Sequence, residues 1–127
     1  MEFIREAAGA PKPVGAYSAA VKAGGFLFLA GQIGLNPETG TLVDGGLEAQ
    51  TRQVLRNLEA VLLHCNSSAK RITMTTIFLT NIADAKVVNE LYGQFVDPAA
   101  APARQTVAVK ELPLGALVEI SVIAVPA

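Results

Sequence analysis

An α+β fold, with helices packed on one face of a mixed sheet, is predicted by three features of the 127-residue sequence. Two segments repeat apolar residues at helical spacing. Five others are short, apolar or β-branched runs bounded by Gly, Pro and Asn. The two kinds are interleaved in the order β-β-α-β-α-β-β, which suits one layer of helices on one sheet.

Ala7 to Gly15 carries two prolines and two glycines and reads as an irregular lead-in. Tyr17 to Ala23 is a short extended candidate, closed by Gly24-Gly25. Phe26 to Ala30 is continuously apolar, as expected of a strand covered on both faces. Asn36-Pro37-Glu38-Thr39-Gly40 is dense in turn chemistry. From Leu47, the residues Thr51, Val54, Leu55, Leu58, Val61 and Leu62 recur on one side of a helix that starts near Asp44 or Gly45. His64 falls in its last turn. Ile72 to Thr80 is β-branched and predicts a strand. Asp84 is placed to cap a second helix carrying Val87, Val88, Leu91, Tyr92 and Phe95, which Asp97-Pro98 ends. Strands over Ala103 to Lys110 and Ala116 to Val125 follow, joined by Leu112-Pro113-Leu114-Gly115. Neither a repeat nor a linker interrupts the order, so one domain over residues 1–127 is expected.

Charged residues are 17% of the chain and hydrophobic ones 51%, which leaves apolar surface seeking a partner, a second copy being the natural one. Net charge is −1 and no basic run exceeds Lys70-Arg71, a poor electrostatic match for nucleic acid. Met1 to Arg5 lacks an apolar segment of signal-peptide length, and no stretch is long enough for a membrane span. Cys65 alone supports no disulfide framework. A cytoplasmic protein is the expectation.

A single histidine rules out a His-rich zinc site, and no metal is expected. His64 and Cys65 are adjacent on a helix and diverge, so they make a poor nucleophile–base pair. No phosphate-cradling glycine run is present. What remains is polar chemistry on strands. Arg104, Thr106 and Ala108 share one side of theirs, while Glu119 shares a side with Leu117 and Ser121 opposite the apolar Val118, Ile120 and Val122. A guanidinium can grip a carboxylate through two parallel hydrogen bonds, and a nearby carboxylate can orient or deprotonate water. The other reading is that Arg104 and Glu119 simply pair across the sheet. Tyr17 can equally be a core aromatic, Asn89 a backbone-bonding helix residue, and Thr106 an ordinary strand former. Spacing leaves these alternatives open.

The stretches Gly15-Ala16-Tyr17-Ser18, Gly31-Gln32-Ile33, Asn36-Pro37-Glu38-Thr39-Gly40, Val88-Asn89-Glu90-Leu91-Tyr92 and Pro102-Ala103-Arg104 stand out together. In this combination the sequence resembles the Rid (YjgF-like) family of reactive intermediate deaminases. Leu112-Pro113 and Val118-Glu119-Ile120 follow in the same register, so the resemblance spans essentially the whole chain. It implies a chorismate-mutase-like fold and a homotrimer with sites in clefts between neighbouring subunits. It further implies hydrolysis of enamines and imines, such as 2-aminoacrylate, 2-iminopropanoate and 2-iminobutanoate, to 2-keto acids and ammonia without a cofactor. Carried over by position, Arg104 is expected to hold the substrate carboxylate and Tyr17 to line the cleft from a neighbouring subunit. Glu119 would polarise the attacking water, with Asn89, Gly31 and the Thr106 backbone shaping the pocket. Thr106 stands where many members have cysteine, Ala30 where serine is frequent and Ala16 where proline is usual, and Gln105 is less typical. These departures bear on rate and substrate preference. Two other functions are consistent with parts of the pattern. One is a non-catalytic module binding 2-keto acids, which needs Arg104 but not Glu119. The other is a ribonuclease or translation inhibitor, against which the near-neutral charge weighs.

Overall fold

Period-two alternation along the strands decides which side of the sheet is covered. The computed structural model describes residues 1–127. In chain order the elements are β1 (Glu2–Ile4), β2 (Ala20–Ala23), β3 (Phe26–Leu29), α1 (Gly46–His64), β4 (Ile72–Leu79), α2 (Ala85–Phe95), β5 (Ala103–Ala108) and β6 (Val118–Ala124). The strands form one sheet in the order β1-β2-β3-β6-β4-β5. All neighbours are antiparallel except β4 and β5, so the sheet is mixed.

Val118, Ile120, Val122 and Ala124 of β6 alternate with Glu119, Ser121 and Ile123, and only the first set is buried. Register puts Ile77 beside Ile120 and Leu79 beside Val118, which makes these the helix side. There they meet Val54, Leu58, Val61 and Leu62 of α1 and Val88 of α2, all with no exposed surface. Each such side chain contributes about 1.5–3 kcal/mol by leaving water. On the other side a row of neighbours runs Phe3, Val21, Phe28, Ile123, Met74 and Ala103 across the whole sheet. No element of the chain covers it, and Phe3 and Phe28 are exposed by 59% and 43%.

α1 does more than roof the sheet. Its buried Asn57 donates from Nδ2 to the carbonyls of Ile33 (3.3 Å) and Leu35 (3.0 Å), and its Oδ1 accepts from Gln53 Nε2 at 2.8 Å. Gln50 Oε1 accepts the Leu117 N–H at 2.9 Å, tying the same helix to the start of β6. Gly34 lies so close that a Cβ there would come within 2.8 Å of Gln50 Cα. The segment 31–35 is thus fixed from below by one helix.

Four expectations need correction. The run Phe26–Leu29 is covered on one face only, because Phe26 and Phe28 belong to the open side. The chain from Tyr17 to Ala19 is irregular, and pairing begins at Ala20, where β3 offers a partner. Asp84 occupies the cap position of α2 but makes no cap hydrogen bond; Asn81 instead accepts the Ala83 N–H into a short 3-10 turn. Val87 is 39% exposed rather than packed inward. β1 has no counterpart in the sequence-derived order, its three residues being too short a run to signal a strand.

Replacing Asn57 with alanine strands two carbonyls under the 31–35 segment. A loss of about 2 kcal/mol is expected, read as a lower urea midpoint with unchanged slope.

Candidate functional site

The irregular lead-in, the 31–35 segment, the turn before β6 and β6 itself enclose a cleft of about 280 Å³. Tyr17, Gly31 and Glu119 all line it. Tyr17 is half-exposed, with its ring within 3.5 Å of where a Cβ of Gly15 would stand, and its hydroxyl accepts the Val14 N–H at 3.4 Å. Gly31 is required by close approach: a Cβ there would come within 3.0 Å of Glu119 Oε2 and 3.1 Å of its Cδ. A β-carbon there would make the Glu119 side chain give way by a few tenths of an ångström.

Glu119 faces the open side of the sheet and is half-buried. Burial pushes its carboxyl above the usual carboxylate range. No cation offsets this, since the chain's one ion pair joins Arg52 and Glu48. A desolvated carboxylate lining a cleft is suited to accept and return a proton.

Arg104 and Thr106 lie elsewhere. The parallel register pairs Arg104 with Thr75 and Thr106 with Ile77, so both point to the helix side of the edge strand β5. The Arg104 guanidinium carbon sits 5.2 Å from the centre of the Tyr92 ring on α2. The ring is held in turn by a 2.8 Å hydrogen bond from its hydroxyl to Thr75 Oγ1. Burial raises the Tyr92 pKa, with Thr75 and Arg104 partly opposing. Thr106 Oγ1 is buried and has no hydrogen-bond partner. Asn89 is exposed one turn before Tyr92 on α2.

Arg104 and Glu119 therefore do not pair. They occupy opposite sides of the sheet with β4 between their strands. Nor does Arg104 sit within a buried strand, for β5 is the sheet's edge and is exposed along most of its length. One chain brings together Tyr17, Gly31 and Glu119 and keeps Arg104 with Thr106 in a second cluster. Tyr92 and Thr75 were not singled out from sequence. Tyr92 reads there as one more apolar helix residue, and only the packing of α2 over β5 reveals it under a guanidinium. No group of three or more His, Cys, Asp or Glu side chains converges.

Residues 7–126 match the family described as endoribonuclease L-PSP. A Rid-family protein of Yersinia pestis superposes with a TM-score of 0.92 at 48% identity, over 96% of this chain and 97% of that one. The chain belongs to the Rid family. A RutC family protein of Synechocystis is 48% identical to it over 123 residues, covering 96% of this chain and 95% of the relative. The chloroplastic reactive intermediate deaminase A of Arabidopsis thaliana is 45% identical over 115 residues, 91% of this chain and 61% of that protein. The Escherichia coli protein TdcF, crystallised with bound serine, superposes with a TM-score of 0.90 at 32% identity over 99% of this chain and 100% of that one. The Rid fold thus has the six-stranded sheet and two helices described above. No helix of this Rid protein is long and apolar enough to cross a membrane.

Because burial raises the Glu119 pKa, the folded chain holds that proton more tightly than the unfolded one. The associated stability is present below the ordinary carboxylate range and is lost as pH rises through the raised pKa. Glu119→Gln is therefore expected to melt higher than wild type at pH 8, with the gap closing towards about pH 4. A gap independent of pH would show that the carboxylate is not desolvated.

Proposed function

We propose that this Rid protein is an enamine/imine deaminase that hydrolyses 2-imino acids to 2-keto acids and ammonia. Glu119 carries the reading: a half-buried carboxylate with a raised pKa, beside Gly31 in a cleft of small-molecule size. The name of the Arabidopsis relative, reactive intermediate deaminase A, and the serine bound to TdcF point to the same chemistry of small amino-acid-derived molecules.

In this reading Arg104 holds the substrate carboxylate by two parallel hydrogen bonds. Glu119 takes a proton from water as the oxygen adds to the imine carbon and gives it to the nitrogen, forming the carbinolamine; it then passes the carbinolamine hydroxyl proton to the same nitrogen as the C–N bond breaks and ammonia leaves. The water oxygen becomes the keto oxygen, and no cofactor enters the balance. Asn89, Gly31 and the Thr106 backbone shape the pocket, while Tyr17 lines it. Since one chain holds Arg104 and Glu119 apart, the complete site forms between copies, in a homotrimer. The uncovered apolar face, with Phe3 and Phe28, and the free edge of β5 supply surface for that assembly. One Rid domain then serves as one subunit.

A second reading keeps the arginine and dispenses with turnover: a binding module for small carboxylates, favoured by the TdcF complex with serine. A ribonuclease role, suggested by the family's description, finds little support in a net charge of −1.

With imine generated in situ by an amino-acid oxidase, wild-type protein is expected to speed release of keto acid and ammonia. Glu119→Ala should lower the rate about 100-fold or more, the range of general acid–base catalysis, while pyruvate binding by calorimetry persists. Arg104→Ala should lose both. Turnover absent from folded wild type, with binding retained, favours the module. Separately, Tyr92→Leu removes the ring under Arg104 and should weaken pyruvate binding about fivefold, a cation–π contact being roughly 1 kcal/mol. Tyr92→Phe keeps the ring and should restore most of it.

A further inference from the structure

The turn before β6 breaks two rules at one residue. In Leu112-Pro113-Leu114-Gly115 the Leu112 carbonyl accepts the Gly115 N–H at 3.3 Å, and Leu114 has φ 58° and ψ 22°. With proline second, a turn of positive φ at its third position calls for glycine or asparagine. A leucine there bears the cost of a β-carbon in the left-handed region. Leu114 is also 70% exposed, so its isobutyl group gains little from burial within the chain. What it does is line the cleft, with Pro113, Ile33, Val14 and Glu119.

The cleft's size bears on its occupant. About 280 Å³ holds roughly nine water-sized groups at ~30 Å³ each. A methyl-bearing 2-imino acid fills only part of that, the more so when Arg104 takes its carboxylate at the subunit boundary. Glu119 is the only carboxylate of the lining, and Lys12 its only cation, so most of the remaining wall is apolar.

Resting on the deaminase reading, we propose that Leu114 determines specificity, its side chain closing over a 2-imino acid with an aliphatic side chain of about three to four carbons. The substrate's side chain covers the exposed leucine, and that mutual burial compensates the strained turn. The reactions that supply this substrate are two-electron oxidations of larger aliphatic amino acids at the α-carbon and nitrogen, of the kind an amino-acid oxidase or dehydrogenase performs.

The test compares kcat/KM for imines formed in situ from leucine and from alanine, in wild type, Leu114→Gly and Leu114→Met, with molar mass followed by light scattering. Wild type should favour the leucine-derived imine about tenfold, the discrimination a hydrophobic pocket provides. Leu114→Gly relieves the backbone and should bring the ratio near one, whereas Leu114→Met should keep it. A ratio unmoved by Leu114→Gly overturns the proposal, as does a wild-type preference for the alanine-derived imine. A fall in molar mass with an unchanged ratio overturns it too, assigning Leu114 to subunit contact. If wild type hydrolyses neither imine, the deaminase reading has failed, and calorimetry with 4-methyl-2-oxopentanoate and pyruvate decides on Leu114. Tighter binding of the larger acid that Leu114→Gly abolishes supports it; equal affinities refute it.

Discussion

Coverage of a sheet on one side only is the constraint from which the rest of the molecule follows. Two helices bury Val118, Ile120, Val122, Ile77 and Leu79, and no helix or strand covers the reverse side. Alternation then assigns each polar strand residue a side without further choice. Arg104 falls with Thr75, toward α2, and Glu119 falls with Phe78, toward the open side. A slip of one residue in either pairing would exchange those positions and drive the apolar set into water, so the same energy that stabilises the core holds the register.

Within that frame, Glu119 is a costly group kept in place by inexpensive means. Desolvating a carboxylate disfavours its charged form, and the chain supplies no cation to offset this. What it supplies is geometry. Gly31 makes room for the carboxylate, and Asn57, with the close approach of Gly34 to Gln50, pins the segment that carries Gly31 to α1. The result is a proton acceptor whose position is set by buried hydrogen bonds rather than by a salt bridge. Arg104 shows the complementary arrangement, a permanent charge that keeps its hydration and is oriented by stacking on a hydrogen-bonded tyrosine.

Much of the fold was legible in the sequence, because long periodic segments carry their own evidence. Leu47 to Leu62 states a helix, and the β-branched Ile72 to Thr80 a strand, independently of what they touch. Short pieces failed for the reverse reason. β1 exists through its pairing with β2, and Phe26 and Phe28 look buried until the sheet has sides. The candidate site divides in the same way. Glu119 stands out as a lone charge in an apolar strand, and the family register adds Tyr17, Gly31, Asn89, Thr106 and Arg104. That Arg104 and Glu119 face opposite ways depends on β4 lying between them, a matter of strand order that no local pattern encodes. The stacking of Arg104 on Tyr92 is likewise a contact between residues of distant elements.

The position of β6 has a consequence for how the molecule comes to exist. This strand is last in chain order yet third from one edge of the sheet, seated between β3 and β4. Its pairing of Ala124 with Leu27 closes a loop of about three quarters of the chain. During synthesis β3 and β4 must wait, each with an open edge, until Val118–Ala124 clears the ribosome, and closing so long a loop is entropically slow. Until β6 is in place, β3 and β4 each lack the partner that fills the gap between them, and unpaired strand edges are what mispair with other chains. When β6 inserts, it joins β3 to β4 in one event, and the Val125 carbonyl then accepts from Ser67 Oγ (2.7 Å) and Arg71 Nε (3.2 Å), latching the strand behind it.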